Sequence, residues 1–376
     1  MSDANVLPIE ELLAPLAGDS PAGKNLRAED SIDPALRIVR DLAKDAVKKE
    51  RDAGNAGEDP SFAGLAEWRS ASEESQTILR EVSKDVEVAA IIVEASVRTD
   101  GLAGLASGLE LVAGLAEQYW TDILERAKSG AAEPNEEEIV QTLLIRPNQW
   151  SEALFLPIAR VPLTSGGNEG DFAYWQYEQA VQAEKLSPEE RDKRKAISVD
   201  QFSRAVISTA TSRPNEILAL LANLDRARTA AERVEAAFQD RLEGALSLHA
   251  PSLGKIKERL EDIKRCLHHS GKEVLEALLA AGSEPAAGVA VGGGAQAGGG
   301  LGELTNRDQA FRELSRIADF FARTEPLSLL AEQIRQVVRR GRLSPDKYYK
   351  DLIDDENTLR QFFRIVGVTP SDEESS

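Results

Sequence analysis

The run Val86-Glu87-Val88-Ala89-Ala90-Ile91-Ile92-Val93-Glu94-Ala95-Ser96-Val97 is apolar on most sides when wound at 3.6 residues per turn. Val86, Ala89, Ala90, Val93 and Val97 share one face, and Ile91 and Ile92 widen it. A helix of this kind is expected at the centre of a bundle, with other helices covering it. On its amino-terminal side, residues 65–82 read as the preceding helix. Residues 34–50 read as another, opening on Pro34, whose missing N–H costs nothing in a first turn. Downstream, Leu105, Leu109, Val112, Ala116, Tyr119 and Ile123 form a stripe at helical spacing. Residues 138–158 begin as a helix that Pro147 and Pro157 are expected to break, and residues 160–167 read as a loop. The expected fold class is all-α, built of several helical bundles.

Composition agrees with helix. Aromatic residues are 5% of the 376 and charged residues 29%, while Ala, Leu and Glu, which lose little rotamer freedom in a helix, are plentiful. The formal net charge is −19. Such a chain repels phosphate backbones and anionic lipid, so nucleic acid and membrane surfaces are poor partners. The charge is uneven: residues 305–370 hold 12 basic and 10 acidic side chains, whereas residues 1–300 hold 33 basic and 50 acidic. A single cysteine, Cys266, allows no intrachain disulfide. No basic segment followed by an apolar core opens the chain, and charge interrupts every apolar run before membrane-spanning length. The expected location is the cytoplasm.

Four segments are expected. Residues 1–186 form a helical amino-terminal domain and residues 187–281 a middle helical hairpin domain. Residues 282–304, rich in Gly and Ala, form a flexible linker, and residues 305–370 a small carboxyl-terminal helical domain. In the middle block residues 215–246 read as one long helix, and Pro251 sits in the turn after it. Leu253, Ile256, Leu260, Ile263, Leu267 and Val274 then make a heptad seam. Leu260 and Ile263 serve either dimerisation or packing within the chain, and both readings stay open. In the last block Leu330, Ile334 and Val338 lie on one helical face. The adjacent pairs Phe320-Phe321 and Phe362-Phe363 cannot both turn to the same neighbour. Surplus apolar surface on a small domain points to self-association through these residues.

Catalytic and metal-binding patterns are weak. Cys266, His268 and His269 form Cys-x-His-His, but the two histidines point in different directions on a helix and no second ligand cluster exists. The expectation there is a solvated helix end without metal. Neither Gly-x-Ser-x-Gly nor His-Glu-x-x-His occurs. Glu136-Glu137-Glu138 and Asp354-Asp355-Glu356 read as first turns of helices, where negative charge is favoured. Arg339, Arg340 and Arg342 lie at a helix carboxyl end, where cations are favoured, and an acidic-partner or nucleic-acid patch is the other reading. No catalytic residue, cofactor or metal ligand is assigned. The alternatives to a scaffold are a helical adaptor that binds other proteins and a hydrolase that uses carboxylates without an evident pairing.

Several segments resemble the TssA (ImpA) family of bacterial type VI secretion systems. Gly23-Lys24-Asn25-Leu26-Arg27, followed by Asp33-Pro34-Ala35-Leu36, is similar to the start of the family's amino-terminal domain. Glu67-Trp68-Arg69 is similar to its tryptophan-bearing helix, and residues 100–120 to a helix that ends in Tyr-Trp. Arg160-Val161-Pro162-Leu163-Thr164 with Tyr177-Glu178-Gln179-Ala180 is similar to its closing loop and helix. Residues 317–326 are similar to its carboxyl-terminal signature. The resemblance implies a scaffold without cofactor or reaction. Such a scaffold forms a multimeric ring through its carboxyl-terminal region, contacts the baseplate and membrane complex, and primes or caps the tail tube and sheath.

Overall fold

The computed structural model describes residues 6–18, 20–28, 31–129, 135–165, 170–187, 197–282, 314, 318 and 330–341. The chain divides into two compact units, Met1–Ala287 and Gly288–Ser376. The fold is all-α. The described residues add only a two-residue antiparallel ladder, β1 (Arg27–Ala28) with β2 (Ser31–Ile32), pairing Arg27 with Ile32 and Ala28 with Ser31.

The first unit is built around α4 (Val86–Thr99), in which every residue from Val86 to Val97 is buried. Asp85 caps it, its carboxylate accepting from the N–H groups of Glu87 at 3.0 Å and Val88 at 3.1 Å. Covering helices are α2 (Pro34–Asn55), α3 (Leu65–Glu81), α5 (Gly101–Ser129) and α6 (Glu136–Ala153). A short α1 (Ile9–Leu13) lies against α3 and α5. The approach of α5 to α4 is close because glycine stands at the contact. A Cβ on Gly104 would lie 2.2 Å from the Ser96 carbonyl oxygen, and one on Gly108 3.0 Å from Val93 Cα.

Helix α6 runs through Pro147 rather than breaking there, and the chain interrupts at Leu154 before α7 (Phe155–Arg160). A proline inside a helix costs about 3 kcal/mol. Burial of Pro147 beside fully buried Trp150, and the Arg146 contact to Glu94 on α4 at 2.6 Å, act against that cost. Pro157 sits in the first turn of α7, where a proline is tolerated.

The expected middle block does not have a core of its own in the described residues. Its helices are α9 (Val199–Ser212), α10 (Pro214–Gln239) and α11 (Gly254–Gly282), which follow α8 (Tyr174–Glu184). Helix α10 lies along α5, and one apolar core runs continuously from α1 to α11 within the first unit. Helix α10 is shorter than the sequence implies. It stops at Gln239, and Gly244, with φ +57°, begins a 3-10 turn (Gly244–His249). Helices α10 and α11 do form an antiparallel hairpin, tied by Lys257 to Glu235 at 2.5 Å and Lys264 to Asp225 at 2.6 Å.

The heptad seam holds as far as Leu267, with Leu253, Ile256, Leu260, Ile263 and Leu267 all buried. It then changes phase. Gly271 leaves the helical region (φ −133°, ψ 29°), so Leu275 is the buried residue and Val274 is only half-buried. The kink is made against α9, since a Cβ on Gly271 would stand 2.9 Å from Val206 Cγ1.

In the second unit α12 (Leu330–Gly341) is described, with Ala331 and Val338 buried, Ile334 half-buried and Val337 58% exposed. Residues 283–304 of the expected linker lie outside the described residues, as do Phe320, Phe321, Phe362 and Phe363. None of the described helices is long and apolar enough to cross a membrane.

Candidate interaction surfaces

The Gly23–Arg27 motif builds a clamp on the entrance to α4. Asn25 fixes the turn, its Oδ1 accepting from the Arg27 N–H at 3.0 Å and its Nδ2 donating to the Arg27 carbonyl at 3.1 Å. That aims the Arg27 guanidinium at Asp85 and Glu87, and Arg40 of α2 reaches Glu87 as well, at 2.6 Å. Burial by itself would lower the Arg27 pKa, but the two carboxylates outweigh it and hold the value raised. For Asp85 and Glu87 burial pushes upward, and the guanidinium groups with their hydrogen bonds win, so both stay below the usual carboxylate range. Beside them Lys84 is buried, donating to the carbonyls of Leu12 at 2.7 Å and Leu79 at 2.6 Å. Desolvation lowers its pKa to about 8. Arg126 of α5 closes the knot on the carbonyls of Ala22 and Lys84. Each of these groups is engaged by the chain itself, which makes the cluster a structural clamp rather than an open reactive site.

The Cys-x-His-His pattern does not form the solvated helix end expected of it. Cys266 is buried in mid-helix on α11, where burial pushes its thiol pKa up, while His268 is half-buried and His269 exposed. A thiol held protonated in this way is a poor nucleophile and a poor metal ligand. Among the described residues no three His, Cys, Asp or Glu side chains are grouped to hold a metal.

The residues expected to mediate self-association separate into three groups. Leu260 and Ile263 are 1% and 0% exposed, covered by the chain's own α9 and α10, so the seam is filled from within. On α12, Val338 is buried, Ile334 half-buried, and the neighbouring Val337 is the exposed apolar residue. Leu330 begins that helix. The four phenylalanines fall outside the described residues.

A cleft of 490 Å³ opens at the carboxyl end of α4. One side is the 3-10 turn Pro60–Phe62, which presents Phe62 at 75% exposure. The other is the loop that closes the amino-terminal region. There Pro162 pairs with Ala173, and the Leu163 N–H donates to the Phe172 carbonyl at 2.8 Å. The Thr164 hydroxyl accepts from the Phe172 N–H at 2.7 Å. This pairing sets Arg160 and half-buried Trp175 along the cleft. Beneath lies Arg98, stacked 4.3 Å above Trp68 and paired with Glu50 at 2.5 Å; Glu50 also accepts from Trp68 Nε1 at 2.6 Å. Residues 160–164 and Trp68 lie in recognisable sequence motifs, but Phe62 does not. Its one signal was a large aromatic alone in a Gly, Pro and Asp loop.

Residues 13–136 match the family described as ImpA, N-terminal, type VI secretion system. The chain is 28% identical over 348 residues to the type VI secretion system component TssA1 of Pseudomonas aeruginosa, covering 86% of this chain and 88% of that protein. A solved N-terminal domain that includes the conserved ImpA N-terminal region of the TssA component from Burkholderia cenocepacia has the same fold. The TM-score is 0.53 at 23% identity, over 73% of this chain and 98% of that one.

Proposed function

We propose, from the premise that residues 13–136 are an ImpA N-terminal region of the type VI secretion system, that the chain is a non-enzymatic assembly component of such a system. In this reading it works in the cytoplasm without a cofactor. The carboxyl-terminal block makes a multimeric ring. That ring contacts the baseplate and membrane complex and primes or caps tail tube and sheath assembly. The observation that carries the reading is the extent of the relation to TssA1, which covers most of both chains rather than a single shared domain. The chemistry of the first unit is in accord. Its charges at half-buried Arg27 and at buried Asp85, Glu87 and Lys84 hold helices and the amino-terminal turn to one another.

The test is the mass of the full chain by light scattering, together with type VI secretion in a strain that lacks it. A defined high-order oligomer, and secretion restored only by the intact chain, are expected. A monomer at micromolar concentration that still restores secretion overturns the ring. Normal secretion without the chain overturns the assembly role.

A further inference from the structure

We propose that the cleft between residues 59–62 on one side and residues 157–162 and 171–176 on the other docks a short extended segment of a partner protein in which an apolar or aromatic side chain stands beside a carboxylate. The proposal deepens the assembly reading by giving it a contact surface, and it rests on that reading for the machine to which the partner belongs.

The apolar half of the requirement comes from Phe62 and Trp175. Phe62 is 75% exposed and is the single aromatic among the exposed large apolar residues described. A side chain of this size held in water on a short, capped turn loses apolar contact that a partner would restore, and aromatic anchors dominate interface energy. Trp175, from a different element, lines the same cleft, as do Pro60 and Pro157. A volume of 490 Å³ lies within the range that takes a small ligand or a few side chains, too little for the face of a long helix.

The carboxylate comes from the state of the charges around the cleft. Glu50 is bonded to Arg98 and to Trp68. Asp59 caps its own turn, accepting from the Ser61 N–H at 2.9 Å. Asp171 is engaged as well. Arg160 makes no ion pair or hydrogen bond among the described residues, although it lines the cleft and is only partly exposed. Of the two guanidiniums that line the cleft, Arg98 is therefore paired and Arg160 is not, and the planar fork of Arg160 matches a carboxylate in two parallel bonds. A chain of net charge −19 disfavours the other common anion carriers, nucleic acid and anionic lipid, over most of its surface.

The experiment places p-benzoylphenylalanine at position 62 of the full chain, in cells that carry the complete secretion machine, and maps the photo-adduct by mass spectrometry. The expected adduct lies on another protein, in a segment where Asp or Glu stands within a few residues of a large apolar side chain. Arg160→Glu, with helicity and oligomeric state unchanged, should lower adduct yield by about tenfold. A synthetic peptide of the adduct sequence should bind the purified chain and lose binding to the same variant. Three outcomes overturn the proposal: no adduct above that of the same photoprobe at exposed Ile38, an adduct only on a second copy of this chain, or a yield indifferent to Arg160→Glu. Ring mass and secretion are read separately. A failed adduct with both intact sinks the cleft alone, and loss of the ring reading leaves the adduct result standing on its own.

Discussion

Arg226 of α10 holds Glu110 of α5 by two charge-assisted hydrogen bonds, Nε to Oε1 at 2.7 Å and Nη2 to Oε2 at 2.5 Å. Seven residues further along both helices the pattern repeats, with Arg233 Nε donating to Glu117 Oε1 at 2.7 Å. Beyond it the rings of Trp120 and Phe238 meet edge to face at 5.4 Å. The two helices thus run parallel in constant register, and residues far apart in sequence share one core.

Not all of that contact is worth the same. The Arg226–Glu110 pair is partly solvated, and such pairs contribute about 1 kcal/mol or less. Phe238 is fully buried, and truncation of such a ring costs about 3–5 kcal/mol. Urea unfolding of Arg226→Ala and Phe238→Ala should separate them accordingly. A fragment of residues 187–282, which lacks α5, should not unfold cooperatively, whereas residues 6–282 should. A cooperative transition in the shorter fragment would mean that the middle helices have a sufficient core of their own.

The clamp at α4 carries an acid dependence. Asp85 and Glu87 have folded pKa values below their unfolded ones. Their contribution is therefore fully present above the ordinary carboxylate range and is lost as pH falls through the depressed folded values. Removing Arg27 leaves buried Asp85 without its main partner and Glu87 with Arg40 alone, a loss of about 3–5 kcal/mol. Arg27→Ala should melt lower at pH 7 and begin its acid unfolding at a higher pH than the parent. An unchanged acid limb, followed by circular dichroism, would remove Arg27 as the cause of the depression.

Lys84 acts at the other end of the scale. Its folded pKa is lowered to about 8 from 10.5. Across that window the unfolded chain binds the proton and the folded one has released it, so stability rises with pH. Lys84→Met should lose this increment between pH 8 and 10.5. Parallel stability curves for parent and variant over that range would contradict the depressed value.

The proposed ring separates the two sets of apolar residues. Leu260→Ala opens a cavity inside the first unit and should cost about 2–5 kcal/mol without altering the oligomer. Phe320→Ala, Phe362→Ala or Val337→Glu should lower assembly order while helicity holds, since truncating an interface anchor costs about 2 kcal/mol or more at each repeat of the contact. Sedimentation of each variant decides it. Assembly that withstands all three, and the Phe320→Ala, Phe362→Ala double variant as well, would take the carboxyl-terminal block out of ring formation.

The features legible in the residues alone are local and periodic. The apolar run at 86–97, the proline start of α2, the stripe of α5 and the seam of α11 each depend on side chains a few positions apart, and helical geometry then allows one answer. The tertiary structure decided which helix meets which. Leu260 and Ile263 have the same spacing whether they face a second copy or α10, and only the packing of α9 and α10 over them settles it. Pro147 reads as a breaker until the burial around it is known. Gly271 reads as an ordinary helical glycine until Val206 is seen against it, and the shift of the seam from Val274 to Leu275 follows from that contact. The cleft was the least legible of all. Phe62, Arg160 and Trp175 lie on three segments that no period connects, and they share a surface only because the loop after α7 folds back through the pairing of Pro162 with Ala173.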